Sequence, residues 1–472
     1  MTVDRPAIRS IADLDGRRVV VLGLARSGVA AARFLADAGA VVAAYDRRPA
    51  HELADAIVAL GARPVHLALG VDQRAAEALF DGAEVLVTSP SISPTFPTTD
   101  AWLRTALRMA EARGAILVSE VDLFLRLTAG RVLAVTGTKG KTTTASLVAA
   151  MMEAADIRSM LGGNIGTPLI ERVAELTDET WAVLELSELQ LPTVSRGADV
   201  AVYTNITADH LDRHGSVEAY RGVKARLGEL TARRGGAVVL NAGDPGCVEL
   251  GSTLIGEVHW YGVDQPPLEA STRGEEVLLD GEPLLPIAEV PLPGRHMLAN
   301  VLAAALGASL AGTPRDAVAR AIRGFVAVPH RLETVHELSG VRFVNDSQAT
   351  IPDAAIAGLE AFDAPLVVIT GGKDKGLDYT AFTDAIAARA RAAVLIGETA
   401  DELERLIGDR VPVQRARRMD DAVEAAARLA QAGDVVLLTP AAASFDMFAD
   451  YAERGDAFRT AVARLSGVRG RA

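Results

Sequence analysis

The chain has 472 residues, 49% of them hydrophobic, with a formal net charge of −13 and a single cysteine. That length and apolar content suit a globule of two to four packed domains, while the acidic balance excludes a general nucleic-acid binder, which needs clustered Lys and Arg. One cysteine excludes an intramolecular disulfide and a cysteine-rich metal site; with no leader-like start and no uncharged apolar run long enough for a bilayer, the expectation is a cytoplasmic protein without a membrane partner.

Residues 17–48, RRVVVLGLARSGVAAARFLADAGAVVAAYDRR, read as strand, Gly-rich turn, helix and second strand, a Rossmann-like start. Its dinucleotide fingerprint is incomplete, because Gly23 and Gly28 are present but Ala25 stands where the middle glycine would be. What survives is a turn at Leu24 and Ala25 that lets a helix N-terminus approach a diphosphate, and a strand end, Asp46-Arg47-Arg48, suited to a ribose or base. A strand over 84–88 then runs into SPSISP, which opens at Ser89, at the edge where open α/β sheets bind ligands. The first domain is expected to close near Glu120.

Residues 132–144, VLAVTGTKGKTTT, are the strongest local signal: a buried strand, a Gly-rich turn, and a helix over 145–153. Gly137 and Gly140 let backbone N–H groups curl round phosphate oxygens, Lys141 adds a point charge and Thr142 offers a hydroxyl to Mg²⁺. Two residues separate these glycines where the Walker pattern has four, but Thr138, Lys139 and Thr143 converge on the same turn. Next, GGNIGTPL presents Asn164 between glycines, able to reach a phosphate or sugar. The strand in WAVLELSELQL ends on Glu185, a carboxylate that is costly at a core strand tip unless something such as a metal pairs it. A strand over 201–205 is followed by Asp209 and His210, so Thr142, Glu185 and His210 arrive from neighbouring strand ends. Cys247 reads as an incidental surface or half-buried thiol in a polar loop. Lys224 lies on a helix over 216–230, where its neighbours support nothing beyond a solvated lysine.

Short strands and turns fill 256–293, and an apolar helix follows with His296 and Asn300 one turn apart, placed to meet a nucleotide. Residues 324–329 read as a linker. Beyond it VRFVNDS, LVVITGG, AAVLIG and DVVLLTP have the pattern of a second doubly wound sheet, its rim carrying Asp346, Gln348, Thr350, Lys375 and Ser444.

Taken together, TGTKGKTT, GGNIGTPL, ELSELQL, NITADHLDRHG, YRGVK, LPGRHMLANVLAA, PHRLE, VNDSQAT and PAAASFDMF resemble the Mur ligase family of cell-wall synthesis. Their order and spacing fit the branch that adds glutamate to UDP-N-acetylmuramoyl-L-alanine, over nearly the whole chain. The resemblance implies an α/β protein of three domains: a Rossmann-like UDP-sugar domain over 1–120, a central P-loop-type ATP domain over 121–327, and a C-terminal Rossmann-like doubly wound glutamate domain over 328–472. It implies an ATP-dependent amide ligase, a monomer, which joins D-glutamate to its UDP-sugar substrate through an acyl phosphate, with Mg²⁺ at two sites.

By the same resemblance, the loop from Gly137 to Thr143 binds ATP with Asn300, Arg331 and Asp346, while Lys141, Lys224, His210 and Arg331 serve catalysis. Thr142, Glu185, His210 and Lys224 lie at the metals, Lys224 as a carbamate, which turns a cation into a carboxylate. Leu24, Ala25, Asp46, Arg47, Ser89 and Asn164 meet the UDP-sugar, and Thr350, Lys375, Ser444 and Phe445 meet the amino acid. The chain departs from the family pattern at Gln348, where NDSKAT has Lys, and at Ile351, Met297 and Ser91; the first two lie in the acceptor segment and leave the glutamate enantiomer open. The alternatives are the same reaction with L-glutamate, a ligase like folylpolyglutamate synthase, disfavoured by the large domain ahead of the phosphate loop, and a P-loop ATPase that moves a partner, for which no extended charged or apolar tract speaks.

Overall fold

A computed structural model of the chain describes residues 8–165, 167–207, 216–265, 267–292, 294–326, 329–362 and 364–469, and every element below belongs to those residues. They build three sheets. In the first, β1 (Arg18–Leu22), β2 (Val41–Asp46), β3 (Val65–Leu69), β4 (Val85–Thr88) and β5 (Ile116–Ser119) are all parallel, in the order β3-β2-β1-β4-β5. The winding reverses between β1 and β4, which opens a crevice at the carboxyl ends of those two strands. Gly28 sits in the helix Arg26–Asp37 because a Cβ there would stand 1.8 Å from the Gly23 carbonyl, so the incomplete fingerprint keeps the close helix–strand packing.

The second sheet comprises β6 (Arg131–Thr136), β7 (Ser159–Gly163), β8 (Trp181–Glu185), β9 (Val200–Tyr203), β10 (Ala237–Asn241), β11 (Val258–Gly262), β12 (Ala270–Arg273), β13 (Glu276–Leu279) and β14 (Glu282–Pro286). Their order is β14-β13-β12-β11-β10-β9-β6-β8-β7, parallel except for the β12-β13-β14 meander at one end. Strands β6, β8 and β9 are nearly unbroken apolar runs because helices cover both faces of the parallel part. Since β8 and β9 flank β6, the turns that leave these three strands meet at one edge.

The third sheet holds β15 (Glu333–Leu338), β16 (Val341–Asn345), β17 (Leu366–Thr370), β18 (Ala390–Leu395), β19 (Val413–Arg415) and β20 (Val435–Leu438), in the order β15-β16-β20-β17-β18-β19 with only β15 antiparallel. The α/β class and the doubly wound pattern expected from the sequence are present. The edge strands β7, β15 and β19 were not legible, since a short edge strand carries only a partial apolar pattern.

The chain divides into two compact units, residues 1–290 with 297–325, and 291–296 with 326–472. The first unit contains both of the first two sheets. One hydrophobic cluster runs through them, from Val19 and Ala31 across Phe124, Leu125, Ile170 and Val173 to Leu184. In the second unit the third sheet has a core on each face, one around Phe382 and Leu403, the other around Phe343 and Phe458. Among the described residues no helix is long and apolar enough to cross a membrane. Cys247 differs from its sequence reading: it sits in the helix Pro245–Thr253, fully buried, and burial followed by the nearby Asp244 pushes its thiol well above the usual range.

Candidate active site

The phosphate loop is built between β6 and the helix Lys141–Glu153, which starts four residues before the expected 145 and so carries Lys141, Thr142 and Thr143 in its first turn. Thr142 and Thr143 are buried there, and the first-turn N–H groups point out of the helix end that favours anions. Gly140 caps the helix at φ +87, and a Cβ on it would lie 2.2 Å from Asn300 Oδ1, so glycine is what lets the asparagine pack on the loop. Gly137 is equally constrained, with φ +143 and Thr204 Oγ1 2.0 Å from any Cβ.

Residues at the end of β9 clamp this loop. Asn205 accepts from Lys139 N–H through Oδ1 at 2.9 Å and from Thr138 N–H through its carbonyl at 2.9 Å, while Thr204 Oγ1 donates to the Lys139 carbonyl at 2.6 Å. Thr138 Oγ1 lies 2.9 Å from Tyr220 Oη and donates to the Thr207 carbonyl. Lys141 Nζ donates to the carbonyls of Gly137 and Thr138, at 3.0 and 2.7 Å, so its charge is held over the turn. Thr204, Asn205 and Tyr220 were missed as loop partners; the sequence signal for the first two was the polar end of the 201–205 segment, where the strand stops at Tyr203.

Glu185 ends β8, in register with Val135 of β6. Its Oε1 accepts from Asn164 Nδ2 at 2.8 Å, and its main chain accepts from Asn164 N–H, so two residues singled out separately form one unit. Glu185 Oε2 is buried without a hydrogen-bond partner among the described residues, an orphan that a cation would satisfy. Among those residues no cluster of three or more His, Cys, Asp or Glu forms a protein-only metal cage. The donor set therefore fits Mg²⁺, which takes one or two carboxylates and completes its shell with phosphates and water. His210 and Asp209 lie outside the described residues.

Lys224 is not the solvated lysine its neighbours suggested. It is fully buried on the helix Val217–Arg233, with Nζ 2.8 Å from the Gly137 carbonyl, 3.4 Å from Thr136 Oγ1 and 4.0 Å from Glu188 Oε2. The helix turns this residue inward under the phosphate loop, and Glu188, three residues past Glu185 in ELSEL, is the carboxylate it meets.

At the crevice of the first sheet is a cavity of about 440 Å³ lined by Gly23, Ala25, Arg47, Arg48, Ser89 and Ser91 among others. Asp46 does not present a free carboxylate to it: one oxygen accepts from Leu24 N–H at 2.9 Å, the other from Arg48 N–H at 3.0 Å, and the Arg48 guanidinium closes on both. Burial raises the Asp46 pKa, but these donors outweigh it and hold the group below its usual range. Leu24 and Asp46 thus brace the turn, and Asp46 lines the cavity together with Ala25, Arg47 and Ser89.

In the second unit, Asp346 follows β16 and is buried, accepting from Leu332 N–H at 3.1 Å and Thr439 Oγ1 at 3.3 Å. Burial pushes it up to about 7, against the opposing field of the neighbouring Arg331. Lys375 Nζ reaches the Thr350 carbonyl at 3.1 Å, which brings the turns after β16 and β17 together. Ser444 is buried in the turn after β20, whereas Phe445 beside it is 72% exposed.

Comparison with known proteins places this geometry. The family model described as Mur ligase middle domain matches residues 135–308, and the one described as Mur ligase, glutamate ligase domain matches 330–442. The chain is 41% identical to the UDP-N-acetylmuramoylalanine--D-glutamate ligase of Solibacter usitatus over 95% of its own length and 98% of that protein. It is 40% identical to the protein of the same name from Anaeromyxobacter dehalogenans, with 95% and 97% covered. In fold it is similar to a UDP-N-acetylmuramate-alanine ligase from Thermotoga maritima, with a TM-score of 0.56 at 18% identity over 96% of this chain and all of that one. A pseudomurein peptide ligase type C from Methanothermus fervidus gives a TM-score of 0.55 at 17% identity, over 95% and 100%. With relatives this similar along almost its whole length, and with both family models falling on the sheets that carry the phosphate loop and the third-sheet turns, the chain belongs to the Mur ligase family.

Proposed function

We infer that the chain is the ATP-dependent ligase that joins D-glutamate to UDP-N-acetylmuramoyl-L-alanine in peptidoglycan precursor synthesis, as the names of its full-length relatives indicate. The observation that carries the reading to residues is the braced phosphate loop: Lys141 over its turn, Glu185 with an orphaned oxygen at the next strand end, and Lys224 buried beneath. In this reading the substrate carboxylate attacks the γ-phosphorus of ATP to give an acyl phosphate and ADP, and the amine of glutamate then displaces phosphate to leave the amide. Each step develops negative charge on oxygen, so a fixed cation at Lys141 and aligned loop N–H groups lower its barrier. Mg²⁺, when bound, would be held at Glu185 and Thr142 and supplies further neutralisation of phosphate charge.

Lys224 fits the carbamate role on three counts. Its burial leaves it no bulk water, a carbamate nitrogen keeps one N–H for the Gly137 carbonyl, and the new carboxylate beside Glu188 forms a pair that asks for a cation between them. The cavity with Arg47, Arg48 and Ser89 is assigned to the UDP-sugar, Asn300 and Asp346 to the nucleotide, and Thr350, Lys375 and Ser444 to the amino acid. The proposal includes domains over 1–120, 121–327 and 328–472, two Mg²⁺ sites, and a monomer working in the cytoplasm. ADP release with UDP-N-acetylmuramoyl-L-alanine and D-glutamate, L-glutamate, D-aspartate or no amino acid tests the core of it. Release that requires the UDP-sugar and is fastest with D-glutamate is expected; release that ignores both substrates would overturn the ligase reading, and a preference for L-glutamate would correct the enantiomer.

A further inference from the structure

Arg454 lies in the first turn of the helix Tyr451–Arg469 and is only 1% exposed, the largest fully buried side chain among the described residues. Its guanidinium makes four hydrogen bonds to neutral oxygens: Nε donates to Ser347 Oγ at 3.0 Å, Nη2 to the Ser347 carbonyl at 2.9 Å, and Nη1 to the carbonyls of Ala442 and Ala443 at 3.1 and 3.0 Å. Its neighbours Asp450 and Glu453 turn to backbone N–H groups instead, Asp450 to that of Glu453 and Glu453 to that of Ala449. Asp446, the carboxylate whose field reaches Arg454, accepts from Glu398 N–H. Among the described residues this buried cation hydrogen-bonds to dipoles and forms no salt bridge, at the helix end that is already positive; the arrangement is expensive, and burial lowers its pKa to about 10 against the field of Asp446.

The cost has a geometric return. Three turns leave the carboxyl ends of β16, β17 and β20, and Arg454 bonds directly to the first and the third. The turn after β17 is bound to the third by Gly371 N–H on the Pro440 carbonyl and Lys373 N–H on the Ala443 carbonyl, both at 2.9 Å. At Gly372 a Cβ would fall 3.0 Å from Arg454 Nη1, so the arginine packs under this turn as well. These turns carry Thr350, Lys375 and Ser444. The charge of Arg454 is felt at Lys375, whose ammonium is held below its usual pKa first by burial and then by that arginine.

We propose that Arg454 is the positioning residue of the amino-acid pocket: it knots the three turns from beneath, and its buried charge makes the pocket choose an acidic acceptor over a neutral one of the same shape. The inference rests on the assignment of Thr350, Lys375 and Ser444 to the amino acid. An acceptor with a side-chain carboxylate adds counter-charge to the field of Asp446, while glutamine, nearly isosteric, does not.

The test compares the full-length chain with Arg454→Gln, Arg454→Lys and Lys375→Ala in steady-state ADP release, with glutamate or glutamine as acceptor. Arg454→Gln is expected to raise KM for glutamate by roughly ten- to a hundredfold, the scale of a lost charge-assisted interaction, and to cut the preference for glutamate over glutamine about tenfold or more. The KM values for ATP and the UDP-sugar should stay within about twofold, and Arg454→Lys should keep most of the preference because it keeps the charge. A folded Arg454→Gln protein with unchanged glutamate KM, a parallel decline of every kinetic constant, or failure of both variants to fold would each overturn the proposal and leave the arginine a structural strut. If Lys375→Ala raises glutamate KM while Arg454→Gln does not, this inference alone falls; if Lys375→Ala has no effect, the amino-acid assignment falls and takes the inference with it.

Discussion

At the scale of single residues, the site turns on cations whose value depends on where they are held. Lys141 is fastened over the loop by the carbonyls of Gly137 and Thr138, so its ammonium is preorganised for charge that appears on the transferred phosphoryl group. Lys141→Ala should lower kcat on the order of a hundredfold or more while leaving the circular dichroism spectrum unchanged, and near-native turnover in a folded variant would remove the loop from the mechanism. Lys224 makes the contrasting case, because the residue is proposed to act only after its sign has been reversed. Lys224→Ala should be nearly inactive and should recover part of its activity with acetate or another short acid, since the missing group is a carboxylate. Recovery with methylamine but with no acid would show that the amine itself is what the reaction needs.

Among the elements, the clamp between the loop and its neighbours decides how well the phosphate cradle is formed. Strand β9 delivers Thr204 and Asn205 to the loop, β8 delivers Glu185, and the helix Arg295–Leu310 delivers Asn300 to the face of Gly140. Gly140→Ala would force a Cβ into Asn300 Oδ1 at a positive φ, a strain of about 1–3 kcal/mol that the loop relieves by moving. The expected result is a raised KM for ATP with a small loss of thermal stability, measured by kinetics and by melting with and without nucleotide. An unchanged ATP KM would mean that the loop geometry seen here is not the one that binds phosphate.

For the molecule as a whole, among the described residues each compact unit carries a buried acid held near neutrality, Glu120 in the first and Asp346 in the second, both pushed up to about 7 by burial. Glu120 starts the helix Glu120–Leu127, which lies inside the cluster shared by the first two sheets, and accepts from Ile170 N–H at 3.4 Å. Its folded pKa is raised, so between roughly pH 4.5 and 7 the folded chain retains a proton that the unfolded chain has lost, and stability declines as pH rises through that window. Glu120→Gln keeps the acceptor oxygen and escapes this decline. Its melting temperature relative to the native chain should therefore rise between pH 5 and pH 8, by an amount equivalent to roughly 3 kcal/mol, and a pH-independent difference would show that Glu120 ionises normally. The sequence by itself determined what depends on neighbours in the chain: the apolar runs of β6, β8 and β16, the glycines that turn backward at positions 137 and 140, and the order of motifs that marks the family. Such signals are legible because strand burial and backbone conformation are set largely by local side chains. What only the tertiary structure decided is which polar groups lose their water and meet: Asn164 with Glu185, Lys224 with Gly137 and Glu188, Asp46 with Leu24 and Arg48, and Arg454 beneath three turns. A helix lysine or arginine looks solvated in sequence, and its burial depends on partners tens to more than a hundred residues away, brought in by strand order and helix packing rather than by any local pattern.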